Sequence, residues 1–240
     1  MTRASVPLTG GGGWSMICPP MSAASFRIDL HVHSLLSGDN RANPEECIVQ
    51  AIELGLQGLA FTEHYSYAAS EPLEPLIERY RDTILILRAV EFSVAEGHCL
   101  VFGVDTDRLC VQYAPVEALI REVNRAGGVV IPSHPYRGGS GLGDRIMTLP
   151  GIAAIEGYNG CNPPTFNQRA IQAALRLRLP VTGGSDAHRP VEVGSCYTVF
   201  PERVTAENLV TLLKTGCFAA VDTRKVSRGW PFGTPEATKS

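Results

Sequence analysis

The sequence predicts an α/β fold, a barrel of mostly parallel strands with helices packed outside it. Three observations lead there. Short apolar runs alternate with amphipathic stretches from residue 26 to about residue 222, the pattern of repeated strand–helix units. The number of units suits a barrel better than an open sheet, and 240 residues is an ordinary length for one such domain. Almost every polar residue able to bind a metal falls at the C-terminal end of an expected strand or just beyond it, the edge on which parallel barrels assemble their sites.

In chain order, the first expected strand is Arg27–His31 and the first helix Pro44–Leu54. Asn43 supplies that helix's N-cap, Pro44 its first position, and Gly55 sits where a helix C-terminus favours positive φ. Strand Leu59–Thr62 precedes helix Leu73–Arg81, and strands Ile84–Glu91 and Cys99–Val104 precede helix Pro115–Ala126, which Gly127 closes. Strand Val129–Ser133, strand Ala153–Tyr158, helix Pro163–Leu177 and strand Val181–Gly184 complete the barrel; an extended run, Ser195–Phe200, and helix Thr205–Thr215 follow. Residues 1–25, with Gly10 to Gly13 and Pro19-Pro20, carry neither helical nor strand period and lack the charge order of a signal peptide. They read as a disordered leader, residues 26–222 as the barrel domain, and residues 223–240 as a flexible tail.

Composition narrows the function classes. A formal net charge of -3 argues against a broad electrostatic grip on nucleic acid or an anionic membrane, while leaving room for a local cationic pocket. No apolar run is long enough to span a membrane. Seven cysteines, odd in number and without a C-x-x-C pair, suit free thiols in a reducing cytoplasm better than a disulfide framework.

The chemistry sits at the strand ends. Asp29, His31 and His33 alternate along an extended segment and therefore face one side. Two imidazoles so spaced can bind one metal, with Asp29 supporting them from behind. Asp39 follows in a Ser-Gly-Asp-Asn turn, where aspartate is usually only a turn former. The second strand ends in Thr62-Glu63-His64. Glu91 closes an otherwise apolar third strand, where a carboxylate is costly unless it is paired or metal-bound. His98 opens the next strand, Ser133-His134-Pro135 ends the fifth, and Ser185-Asp186-Ala187-His188 ends the seventh. All six histidines thus stand at a strand end, His98 alone at a start, and none falls in a helix or tail. That joint placement points to a metal cluster.

This order, D-x-H-x-H, T-E-H, E, G-H, S-H-P and S-D-A-H, resembles the PHP family, named after polymerases and histidinol phosphatases, from about Phe26 to Val221. The resemblance implies a distorted (β/α)7 TIM-like barrel with its metal site at the C-terminal rim, and hydrolysis of phosphoesters. It also implies three metal positions: His31, His33, Glu91 and Asp186 at one; Glu91, His98 and His134 at a second; Asp39, His64 and His188 at a third. A mixed imidazole and carboxylate set suits Zn, Mn or Fe, two or three ions in all.

The expected mechanism is in-line attack on phosphorus by a metal-bound hydroxide. Arg137 and Arg189, close after His134 and His188, are candidates to grip phosphate, and Arg145 is a weaker one. Tyr158 and Asn159 are placed to line the pocket, and Glu63 and Ser133 to support the ligands. The short connection from His64 to Glu91 leaves little space for a capping insertion, so an open pocket and a small phosphorylated substrate, monoester or diester, are expected. Rival readings are a histidinol-phosphate phosphatase, a non-catalytic metal-binding module, an exonuclease and an amidohydrolase. The amidohydrolase suffers because a carbamylated bridging lysine is unavailable: no lysine precedes Lys214. The exonuclease suffers from the negative charge and the lack of a basic and aromatic stripe.

Overall fold

The computed structural model describes residues 25–224. The expected leader and tail lie outside the described residues, apart from Ser25, Thr223 and Arg224. The strands are β1 (Phe26–Val32), β2 (Gly58–His64), β3 (Leu85–Val94), β4 (Gly97–Phe102), β5 (Val129–Pro132), β6 (Ile155–Asn159), β7 (Val181–Gly184), β8 (Cys196–Phe200) and β9 (Ala219–Asp222). The α-helices are α1 (Pro44–Glu53), α2 (Glu74–Tyr80), α3 (Val116–Arg125), α4 (Pro164–Leu177) and α5 (Leu209–Thr215), with short 3-10 turns between elements. Asn43 caps α1 as expected, its side chain accepting from the Glu45 amide.

Seven strands form one curled sheet in the order β5-β4-β3-β2-β1-β8-β9, and β6 and β7 make a separate parallel pair. The pair fills the gap between the sheet's two flanks. On one side the Ala153 amide, just before β6, donates to Val130 O of β5 at 3.0 Å. On the other, β1 divides its pairing. Its first half, Phe26 to Ile28, pairs antiparallel with β8. Beyond that half, Asp186 N donates to His31 O at 2.7 Å and His33 N to Ala187 O at 2.9 Å. Strands β1 to β7 thereby encircle the core as a distorted barrel. The approach of β7 to β1 requires glycine: a Cβ on Gly184 would stand 2.4 Å from His31 Cβ.

Apolar side chains fill three layers. Leu30, Ala60, Ala89, Leu100 and Ile131 pack inside the barrel, and α5 closes its N-terminal end through Leu209, Leu212 and Leu213. One outer layer holds α1 against β1 and β2, and another holds α3 and α4 against β3 to β6. The interior is therefore blocked at the bottom, and polar chemistry is confined to the upper rim.

The strand expectations differ from the structure in one consequential way. β3 runs on to Val94 and turns over Ala95-Glu96 into β4, which pairs antiparallel with both β3 and β5. A connection of two residues can join only antiparallel strands, since a parallel crossover needs a dozen or more. The expected strand Ile84–Glu91 ends short of this turn, so the hairpin is not visible in it. β9 was not expected at all.

Cys47, Cys99, Cys110, Cys161 and Cys196 are free thiols. Cys217 departs from the expectation and is disulfide-bonded. No helix of the described residues is long and apolar enough to cross a membrane.

Candidate metal centre

The upper rim gathers all six histidines. His31, near the end of β1, and His33, one residue beyond it, are fully buried, and their Nε2 atoms lie 3.0 Å apart. Asp186 Oδ1 is 3.3 Å from both nitrogens. Glu91 approaches from β3, with Oε1 at 3.5 Å from His31 Nε2 and Oε2 at 3.4 Å from His33 Nε2. Metal–ligand bonds of about 2.0–2.2 Å at tetrahedral angles separate their donor atoms by about 3.3–3.6 Å. The four donors stand close to that spacing.

The hydrogen-bond network also assigns the tautomers. His31 Nδ1 meets Glu156 Oε1 at 2.8 Å and so carries the proton it donates. Ser37 Oγ donates to Glu63 and therefore accepts from His33 Nδ1, at 3.1 Å. Both Nε2 lone pairs then point at one spot between two carboxylates, an arrangement that repels itself unless a cation sits there. The residues fit a divalent ion.

Two further groups adjoin this one. Glu91 Oε1 is 2.7 Å from His134 Nε2 and 3.5 Å from His98 Nδ1. His98 Nδ1 is buried without a hydrogen-bond partner among the described residues, as is His134 Nδ1. Asp39 Oδ2 is 3.1 Å from His64 Nε2 and 3.3 Å from His188 Nε2, and the rings of His64 and His188 flank His33 at 4.3 and 4.7 Å between centroids. Three groups have candidate ligand atoms within 4.8 Å of one another: His31, His33, Glu91 and Asp186; Glu91, His98 and His134; and His33, His64 and His188. Burial grades across them. The first group is sealed, whereas the side chains of Asp39 and His188 are 39% and 34% exposed.

His98, the exception in the sequence reading, finds its explanation in the hairpin. Because β4 runs antiparallel to β3, its beginning lies on the rim where the parallel strands end. Two candidate ligands sit in strained backbone, His134 at φ +30° and Asp186 at φ +55°. Left-handed conformations of non-glycine residues persist only where surroundings enforce them. Glu156 Oε2 accepts the His134 amide at 2.7 Å, and His31 O accepts that of Asp186.

Without an ion, protons balance the charge. Burial works against a charged His31, but the Asp186, Glu156 and Glu91 carboxylates hold its pKa well above the usual imidazole range. Burial likewise opposes the charge on His33, yet hydrogen bonds to Asp186 and Glu91 raise its pKa to about 9. Burial alone would raise the Asp186 and Glu91 carboxyls, but His31 and its neighbours hold both well below their normal range. His64, partly buried and facing charged His33, drops to about 4.

Asp29 is buried but does not touch an imidazole. Its carboxylate accepts from the amides of His31, Ser185 and Gly194, at 3.2, 2.9 and 2.8 Å, so it supports the β1–β7 contact through the backbone instead. Burial lifts its pKa to about 6 despite those bonds. Ser133 Oγ donates to Glu91 Oε1 at 2.7 Å, and Glu63 accepts from Ser34 and Ser37. Arg137 lies against the cluster: Nη2 reaches Asp186 Oδ2 at 2.7 Å and Asn159 Oδ1 at 2.8 Å, and Nε reaches Asn162 at 2.9 Å. Arg189 points elsewhere, exposed, with Nε and Nη2 both donating to Glu192 Oε1. Arg145 pairs with Glu117 away from the rim. Tyr158 stays half-buried, and Asn159 is buried, donating to both Glu156 and Asp186.

Glu156 escaped the sequence reading. Its signal was available: like Glu91, it is a carboxylate inside an apolar strand, Ala153-Ala154-Ile155-Glu156. Ser37, in a turn rich in small polar residues, had no comparable signal.

Two family models match the chain, "PHP domain" over residues 29–131 and "PHP-associated" over residues 164–217. No curated protein matches significantly. Among solved structures, PsfC from Pseudomonas syringae PB-5123 is similar at 22% identity and TM-score 0.64, over 83% of this chain and 92% of that one. A two-domain protein from Bacteroides vulgatus, described as containing a predicted PHP-like metal-dependent phosphoesterase, is similar at 20% identity and TM-score 0.66, over 89% and 70%. The lesion-specific endonuclease PfuEndoQ from Pyrococcus furiosus is similar at 16% identity and TM-score 0.62; 82% of this chain covers only 57% of it. At these identities the likeness is one of fold. Because an endonuclease shares this fold, the fold gives no support to the expectation that nucleic acid is an unlikely partner. The chain thus carries a PHP domain over residues 29–131 and a PHP-associated segment over residues 164–217, on a barrel that gathers its imidazoles and carboxylates at one rim.

Proposed function

We propose that this protein hydrolyses a phosphoester of a small molecule, with two or three divalent ions (Zn, Mn or Fe) held by His31, His33, Asp39, His64, Glu91, His98, His134, Asp186 and His188. The observation that carries the reading is the position of Glu91. Its carboxylate lies within 3.5 Å of ring nitrogens on His31, His33, His64, His98 and His134, as a group shared between neighbouring ions must. When bound, such ions lower the pKa of a water, polarise phosphoryl oxygens and stabilise the leaving oxygen.

The chain's own groups supply orientation and charge. Glu156 and the Glu63–Ser37 pair hold His31 and His33 with Nε2 inward. Arg137, fixed by Asn159 and Asn162, keeps Nη1 without a partner among the described residues, in a side chain 27% exposed. That nitrogen is suited to a phosphoryl oxygen. Arg189, held by Glu192, is not assigned this role. The net charge of -3 favours a small substrate over a polymer, and the lack of lysine before Lys214 favours phosphoester over C–N hydrolysis.

The test is a panel assayed with protein loaded with Mn²⁺ or Zn²⁺: small phosphomonoesters, small phosphodiesters, a cyclic amide and a lesion-bearing duplex. Turnover of small phosphoesters, lost on chelation, is expected. Turnover of the amide alone, or cleavage confined to the duplex, would defeat the proposal.

A further inference from the structure

Two exposed tyrosines, Tyr65 beside the cluster and Tyr113 on the loop before α3, contribute nothing to the core. Tyr65 directly follows His64, their ring centroids 5.6 Å apart, and is 53% exposed. Tyr113 is 64% exposed. Both backbones lie in the left-handed region, at φ +68° and +63°. Bulky residues seldom adopt it, and they hold it only where the surroundings impose it.

Here the constraint is a single side chain. Gln112 Nε2 donates to Tyr65 O, while Gln112 Oε1 accepts from Ser93 N at 3.2 Å. Tyr113 N donates in turn to Ser93 O at 2.9 Å, and Ser93 pairs with His98 across the β3–β4 hairpin. One glutamine therefore ties together the loop after β2, the loop before α3, and the strand pair carrying Glu91 and His98. Tyr65 and Tyr113 are thereby held on loops tied to the hairpin that carries Glu91 and His98. Strain and exposure together favour a role for these rings outside the free protein, since neither serves packing.

We infer that Tyr65 and Tyr113 form an aromatic wall that stacks a flat, unsaturated ring carried by the substrate, such as an aryl group or a nucleobase. The inference rests on the phosphoester reading and names the class of group attached to the phosphate. Aromatic stacking, rather than simple apolar contact, is its distinguishing content, because the quadrupole of a tyrosine ring favours an aromatic partner in offset or edge geometry.

The experiment uses metal-loaded protein and two phosphonates of equal charge and similar size, benzylphosphonate and cyclohexylmethylphosphonate, bound in a calorimeter. Hydrolysis of the matching benzyl and cyclohexylmethyl phosphates is measured in parallel. Benzylphosphonate is expected to bind roughly three- to tenfold more tightly, although the saturated ring is the more hydrophobic of the two. Tyr65→Ala and Tyr113→Ala should each reduce the preference and together abolish it, raising KM for the benzyl ester and leaving kcat nearly unchanged. Tyr65→Phe and Tyr113→Phe should keep it. Equal binding of the two phosphonates, or a preference that survives the double alanine variant, overturns the wall even if both esters are hydrolysed. A phosphonate preference with no hydrolysis of either ester keeps the wall and removes the hydrolytic reading. Failure of both phosphonates to bind overturns both.

Discussion

Glu91 is the residue on which most of the rim's charge converges, and its removal isolates what the cluster does. Glu91→Ala leaves five imidazoles facing a vacated carboxylate site and deletes the group common to two ion positions. Elemental analysis should show the variant losing both of those ions, with its far-ultraviolet circular dichroism close to wild type; full metal content would sink the bridging role. The protonation of His33 gives a second expectation. Its raised pKa, about 9, means the metal-free protein holds a proton there at neutral pH, which an incoming ion displaces. Affinity should therefore rise with pH through neutrality and up to at least about 9. Calorimetry in buffers of different ionisation enthalpy would reveal the released proton, and buffer-independent heats would contradict it. At this scale most of the site was legible, because histidine and carboxylate at strand ends are costly placements that packing does not explain. Asp29 was misjudged: spacing puts it on the face of His31, but its oxygens turn to backbone amides across the β1–β7 seam. Spacing along one strand says nothing of a partner that arrives from a distant loop.

At the level of elements, hydrophobic alternation and turn residues exposed nearly every strand and helix, with ends shifted by a few residues. What they could not expose was direction. β3 and β4 carry the same apolar signature whether they pair in parallel or antiparallel, and only the two-residue turn at Ala95-Glu96 decides it. β9, four residues long and weakly buried, offered no period to detect. The seam between β7 and β1 makes a sharp mechanical prediction. Gly184→Ala places a methyl against His31 Cβ, and either strand must move. A loss of about 1–3 kcal/mol is expected from overpacking, read as a lower denaturation midpoint. Metal content should fall with it, since His31 and Asp186 flank the seam. An unchanged midpoint would show that the strands separate freely.

For the molecule as a whole, the ion cluster should act as a clasp. Its candidate ligands come from β1, β2, β3, β4 and the loops after β1, β5 and β7, so binding favours the closed barrel over any open form. Each site saturated at a hundredfold its dissociation constant contributes about 2.7 kcal/mol. Chelation should lower Tm by several degrees, recovered on adding back Zn²⁺ or Mn²⁺. Identical melting curves with and without ions would mean that the rim is organised independently of them.

The divided pairing of β1 has a bearing on how the protein is made. Its inner half finds partners in β2 and β8, but the carbonyl of His31 waits for Asp186, and the carboxylate of Asp29 for the amide of Ser185, 156 positions downstream. A growing chain on the ribosome thus exposes His31 and His33 long before the residues that complete their pocket exist. The group around His31 and His33 is completed only once Asp186 has been made, and a product cut short ahead of β7 would carry that pair of imidazoles stranded on an open strand edge.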